Sequence, residues 1–189
     1  MGNFYTNYTI RGASQSDVVS ALQGRKAVVT APDQDCVVVF DEIADEQDDE
    51  VITSLASQLS RDCSARVLVV LNHDDDILWF QLYQGGELTD EYNSCPDYFE
   101  GEDESLPTPV GGDAERLCSI LGSGTAAEVE RVLRTSSFDK DGYIFAFQRH
   151  EALCAALSIS RFGVGTSYSS FEHDELPEGL DISQIQRIG

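Results

Sequence analysis

Three short stretches of this chain are apolar on both sides of a β alternation. Cys36–Phe40 and Val67–Leu71 are unbroken apolar runs. In Ile77–Gln84 one side carries Leu78, Phe80 and Leu82, and the other carries Ile77, Trp79 and Tyr83 beside Gln81. A strand with one wet face alternates apolar and polar residues, whereas a strand apolar on both sides must be covered on both. The chain is therefore expected to build a sheet with material above and below it.

The flanking residues say how the strands are joined. Phe4–Ile10 alternates with a period of two and reads as the first strand. Ser14 with Asp17 three residues on has the capping-box pattern, and Val18, Val19, Ala21 and Leu22 give the helix that follows its apolar side. Ala27–Thr30 reads as a short strand, Pro32–Asp35 as a turn, and Cys36–Phe40 as a buried strand. The acid-rich run Asp41–Glu50 leads into Val51, Ile52, Leu55, Ala56 and Leu59 at helical spacing, with the acids at the positive end of the helix dipole. Arg66–Asn72 is the next strand. Ile77–Gln84, the tight turn Gly85-Gly86 and Glu87–Asn93 form a hairpin.

That order, β-α-β-β-α-β followed by β-β, is the order of a ferredoxin-like (βαββαβ) plait with its sheet extended by a β-hairpin. The fold class expected is α+β. Both helices of a plait lie on one face, so the face bearing Ile77, Trp79 and Tyr83 needs a cover: the C-terminal half, a second copy of the chain, or a ligand. Three parts are expected. Residues 1–94 form the plait and residues 95–112 an acidic loop with Pro96, Pro107, Pro109 and Gly111-Gly112. Residues 113–189 form a smaller C-terminal α/β subdomain packed on the first part. Within the last part the sequence predicts helices at Asp113–Leu121, Ala126–Arg134 and Glu151–Leu157, and strands at Tyr143–Phe147 and Gly163–Phe171.

Charge and cysteine content narrow the function. Acids outnumber bases 34 to 12, a formal net charge of −22, and only Lys26 and Lys140 are lysines. Such a chain repels nucleic-acid phosphates. No apolar run approaches the ~20 residues of a membrane-spanning helix. The N-terminal residues show no basic and apolar leader pattern. The five cysteines are scattered without a Cys-x-x-Cys pair, which argues against a zinc ribbon and suits a reducing compartment, so a cytoplasmic location is expected. The acidity itself has two explanations, a functional surface or adaptation to salt.

Candidate chemistry is sparse. Asn72-His73-Asp74-Asp75-Asp76 places a histidine beside three carboxylates, so Asp74, Asp75 and Asp76 are metal-ligand candidates; a turn between two strands needs the same residues. Asp139-Lys140-Asp141-Gly142 resembles the start of a calcium loop but lacks its closing Glu, and reads as a turn. Gly163-Val164-Gly165 lacks the third glycine and the basic residue of a phosphate cradle. Among the three histidines, His73 and His150, with Asp75, are the acid–base candidates. Cys154, four residues after His150, reads as a packing thiol. Trp79, Tyr83 and Tyr92 form an aromatic set that is either a binding patch or core.

These residues point to an acidic, non-enzymatic protein that binds or regulates a basic macromolecule, with a basic protein as partner and with no cofactor, nucleic acid or membrane. The alternatives are an enzyme with hydrolase-like acid–base chemistry in a cleft between the two parts, and a divalent-cation binder using Asp74–Asp76 or the Asp41–Glu50 run. Monomer and homodimer both fit.

Overall fold

The computed structural model describes residues 2–96, 98, 108–122, 124–136 and 142–189. Among them the chain forms one mixed α+β structure. Its strands are β1 (Tyr5–Arg11), β2 (Ala27–Val29), β3 (Cys36–Asp41), β4 (Arg66–His73), β5 (Ile77–Gln84), β6 (Glu87–Asn93), β7 (Val110–Gly111) and β8 (Gln186–Ile188). They make a single sheet in the order β7-β6-β5-β4-β1-β3-β2-β8, with every neighbouring pair antiparallel. The helices are α1 (Gln15–Ala21), α2 (Asp49–Asp62), α3 (Ala114–Leu121), α4 (Ala126–Arg134), α5 (Ala146–Leu157) and α6 (Tyr168–Glu172).

Local chemistry explains the element ends. Ser14 accepts from the Asp17 N–H while Asp17 accepts from the Ser14 N–H, a reciprocal cap on α1. Asp48 caps α2 by accepting from the Val51 N–H at 3.0 Å. Between β4 and β5 the His73 carbonyl accepts from the Asp76 N–H. Asp74 and Asp75 both sit at positive φ, the geometry of the turn whose twist matches antiparallel strands.

The two faces of the sheet are covered by different parts of the chain. Tyr8, Ile10, Val39, Val67 and Tyr83 pack under α1 and α2, against Val18, Leu22, Ile52 and Leu59. On the opposite face Tyr5, Leu68, Phe80 and Tyr92 pack against Leu117, Val132, Leu153 and Leu157 of α3, α4 and α5. A third cluster, Val28, Val38, Phe40 and Phe171, lies under α6 and the C-terminal tail. The face that needed the C-terminal cover is therefore the one bearing Leu78, Phe80 and Leu82. The Tyr83 face is the one that α2 occupies, because β5 enters the sheet with Trp79 and Tyr83 toward the N-terminal helices.

Two predicted strands are not strands. Tyr143–Phe147 alternates aromatic and aliphatic residues, yet α5 begins at Ala146. Ala146, His150, Leu153, Cys154 and Leu157 lie on one buried helical stripe, and burial of that stripe outweighs local β propensity. The start of α5 is secured from outside and inside. The Ala146 N–H donates to the Asp75 carbonyl, and the Phe145 N–H donates to Gln148 Oε1. Gly163–Phe171 is a pair of turns followed by α6. The buried Asn7 amide donates to the carbonyls of Gly163 at 2.7 Å and Thr166 at 3.3 Å, which occupies the groups a strand would need for pairing. Gly163 fits there because a Cβ would lie 2.3 Å from Asn7 Oδ1. The short strands β7 and β8 add edges that the alternation pattern did not show. The expected turn at Asp139–Gly142 lies, apart from Gly142, outside the described residues. No helix among the described residues is long and apolar enough to cross a membrane.

Candidate functional site

A cleft of about 880 Å³ opens at the end of the sheet where β1 begins and β4 turns into β5. Phe4 precedes β1, Leu71 and His73 come from β4, Ile77 and Trp79 from β5, and Asn93 from the end of β6. The opposite wall is the segment Asp45–Glu50, a 3-10 turn leading into α2. Strand register explains the floor: Leu71 pairs with Trp79 and His73 with Ile77, so these four side chains point to the α2 side together.

The acid-rich run divides into structural and cleft-lining members. Asp41 is buried and takes a two-pronged bond from Arg25, with both N···O distances 2.7 Å, while accepting from the Ala44 N–H. Glu42 pairs with Lys26 at 2.9 Å. Asp45, Glu46, Asp48, Asp49 and Glu50 line the cleft, and among the described residues that line it there is no lysine or arginine. The N-terminal dipole of α2 offsets about half a charge of this wall, so its field stays negative. Asp45 is tied down by the Ser169 N–H at 3.0 Å, and burial pushes its carboxyl up. Its Oδ1 and the nearby strand residue Thr6 Oγ1 are buried without a hydrogen-bond partner.

The floor is held in fixed orientations. Gln47, in the left-handed region at φ 58°, donates from Nε2 to the Asn72 carbonyl at 2.8 Å. Its Oε1 therefore faces His73 Nδ1 at 2.7 Å, which places the proton of the neutral imidazole on Nδ1. Phe4 meets His73 edge to face, with centroids 4.8 Å apart and planes at 82°. The Trp79 indole N–H donates to Glu91 Oε1 at 3.1 Å. The same oxygen accepts from Gln81 Nε2, and Gln81 Oε1 accepts from the Tyr83 hydroxyl. This chain of bonds ties the indole to the buried Tyr83.

The structure brings only some of the sequence candidates together. His73 and Trp79 share the cleft, and Tyr83 lies behind Trp79. Tyr92 is on the other face, stacked on Phe80 at 5.0 Å with its hydroxyl donating to the Leu133 carbonyl. His150 is on that face too, fully buried on α5. Its Nδ1 lies 3.0 Å from the Tyr5 hydroxyl, and burial pushes it down to about 3. Burial likewise pushes the Cys154 thiol up. His73, Asp75 and His150 thus do not converge.

The three aspartates of the turn bond within the chain itself, two of them to the N-terminal segment. Asp74 accepts from the Gly2 N–H, Asp75 from the Asn3 N–H and the Asn72 amide, and Asp76 from the Tyr98 hydroxyl. Among the described residues no group of three or more His, Cys, Asp or Glu side chains is placed to hold a metal ion. Sequence reasoning missed Phe4 and Gln47 as site residues, while Asp45 lies in the acid run Asp41–Glu50 that it offered for a cation. The available signal was Gln47 itself, the one uncharged polar residue inside the acid run Asp41–Glu50. Comparison with protein-family models, with curated proteins and with solved structures finds no match to this chain.

Proposed function

We propose that this protein is a non-enzymatic binder of a basic macromolecule, and that the cleft at Phe4, His73 and Trp79 receives a cationic segment of that partner. The observation that carries the reading is the pairing of an aromatic floor with a wall of five carboxylates, Asp45, Glu46, Asp48, Asp49 and Glu50, with no lysine or arginine among the described residues that line it. The net charge of −22 favours long-range steering of a basic protein and disfavours nucleic acid.

Trp79 is the single tryptophan, so its emission reports on the cleft directly. Titration with a lysine- and arginine-rich peptide is expected to shift that emission at low salt, with affinity falling steeply toward about 0.5 M salt as screening shortens the field. Combined Glu46→Gln, Asp49→Asn and Glu50→Gln substitution is expected to weaken binding at least tenfold. An unchanged affinity in that variant would sink the reading.

One observation favours the enzyme alternative. Gln47 Oε1 accepts from His73 Nδ1 and so orients the imidazole of a residue that lines the cleft. A screen for hydrolase activity with His73→Ala as control tests it, and activity untouched by that change removes His73 from the chemistry.

For the architecture we propose a ferredoxin-like plait over residues 1–94, extended by the hairpin β5–β6, with 113–189 as a subdomain packed on it. The support is the segment β4-β1-β3-β2 of the sheet order, with α1 and α2 on one face. A cytoplasmic setting is proposed from the scattered spacing of the five cysteines, with no Cys-x-x-Cys pair.

A further inference from the structure

We infer that the group recognised in the cleft is a quaternary ammonium. This inference rests on the cleft being the binding site and names the chemistry of its occupant.

Most of the polar side chains around the floor already make hydrogen bonds inside the protein. Both ends of the Gln47 amide are bonded, to the Asn72 carbonyl and to His73. Asp45 Oδ2 is held by the Ser169 N–H and Asp48 Oδ1 by the Val51 N–H. Asn93 Oδ1 accepts from the Cys95 N–H. What the floor offers a ligand is therefore ring and aliphatic surface: Phe4, His73, Trp79, Leu71 and Ile77. Phe4 and His73 stand at 82° to each other, and the Trp79 indole N–H is held by its bond to Glu91.

A primary ammonium or a guanidinium entering such a place gives up hydrogen bonds to water and finds few acceptors at the floor. A quaternary ammonium has no N–H to satisfy and presents methyl groups, and it is drawn to aromatic faces through their quadrupole. The exposed carboxylates Glu46, Asp49 and Glu50 supply the attractive field at the rim, where no contact is required.

The test is titration of the intact chain with choline, with ethanolamine (its primary-amine counterpart) and with 3,3-dimethylbutan-1-ol (its uncharged isostere). Trp79 emission and calorimetry are the readouts. Choline is expected to saturate, with the neutral isostere at least tenfold weaker and ethanolamine several-fold weaker. Phe4→Ala, at a residue outside every strand and half exposed, is expected to weaken choline by roughly three- to tenfold with the melting temperature nearly unchanged. Ethanolamine or the neutral alcohol binding as tightly as choline overturns the inference, as does a Phe4→Ala variant of full affinity. If the basic peptide binds and choline does not, the inference falls and the cleft reading stands. If choline binds in the Phe4-dependent way and the peptide does not, the macromolecular reading falls and the inference stands.

Discussion

The two faces of the sheet are covered to different extents. Under α3, α4 and α5 most buried polar groups are closed into the protein, although Asn7 Oδ1 has no partner. The Tyr5 hydroxyl meets His150, the Asn7 amide is spent on two carbonyls, and the buried Arg149 donates to the carbonyls of Val132, Leu133 and Thr135 at the end of α4. Under α2 the sheet is covered over β1, β3 and β4, but the layer stops short where α2 begins, and the cleft opens at that edge. There Asp45 Oδ1 and Thr6 Oγ1 lack partners, and an aromatic side chain, Phe4, stays 47% exposed. The contrast separates scaffold from site: one face is finished by the chain itself, and the other leaves shaped, charged surface at its edge.

Truncating the closed face should cost most. Phe80→Ala is expected to destabilise by about 3–5 kcal/mol through the cavity it leaves, whereas Phe4→Ala should cost under about 1 kcal/mol. Chemical denaturation of both variants checks this, and similar losses would erase the distinction between the faces.

The next effect depends on pH. His150 is held neutral in the fold, with its pKa pushed down to about 3 from the ordinary 6.5. The unfolded chain binds this proton over that interval and the folded chain does not. Stability contributed by the neutral ring is therefore complete above about pH 6.5 and falls as pH drops toward 3, by about 3 kcal/mol at pH 4. Asp45 on the open face works in the opposite sense. Burial pushes its carboxyl up, so its penalty is present at neutral pH and is relieved as pH falls. Denaturant midpoints at pH 7 and pH 4 should show a flatter profile for His150→Phe than for the parent chain. An identical slope counts against a neutral buried ring.

Arg149→Met should cost about 2–3 kcal/mol, since it strips the carbonyls at the end of α4 of their donor. A melting temperature within one degree of the parent would show that water replaces the guanidinium. The smallest effect is global. Raising sodium chloride to about 0.5 M should raise the melting temperature by a few degrees by screening the −22 charge, while weakening any cation held in the cleft. Stability that falls with salt would mean that attractive pairs such as Arg25–Asp41 outweigh the repulsion.

Much of the N-terminal architecture was legible because each element carried its own local signal. The Ser14–Asp17 cap, the period-two run from Phe4, the apolar stripe Ile52, Leu55, Ala56 and Leu59, and the glycine turn between β5 and β6 all identify structure within a few residues of chain. Tyr143–Phe147 misled because its aromatic alternation is a weak preference, and the stripe ending at Leu157 has more surface to bury. The cleft was half legible. His73 and Trp79 stood out as rare residue types, but Phe4 and Asp45 lie far from them in sequence and meet them only through strand pairing and the entry to α2.

By itself the sequence determined the strands and helices of the first half, the need for cover on both faces of the sheet, and the charge that repels phosphate. These follow from spacing and composition, which are properties of neighbours along the chain. The tertiary structure alone decided which face received which cover, that His73 and His150 lie on opposite sides of the sheet, and that the acid run stands across from an aromatic floor. Those outcomes depend on register and on packing between segments far apart in sequence. A one-residue change of register moves every side chain of a strand to the other face, and no local pattern encodes that choice.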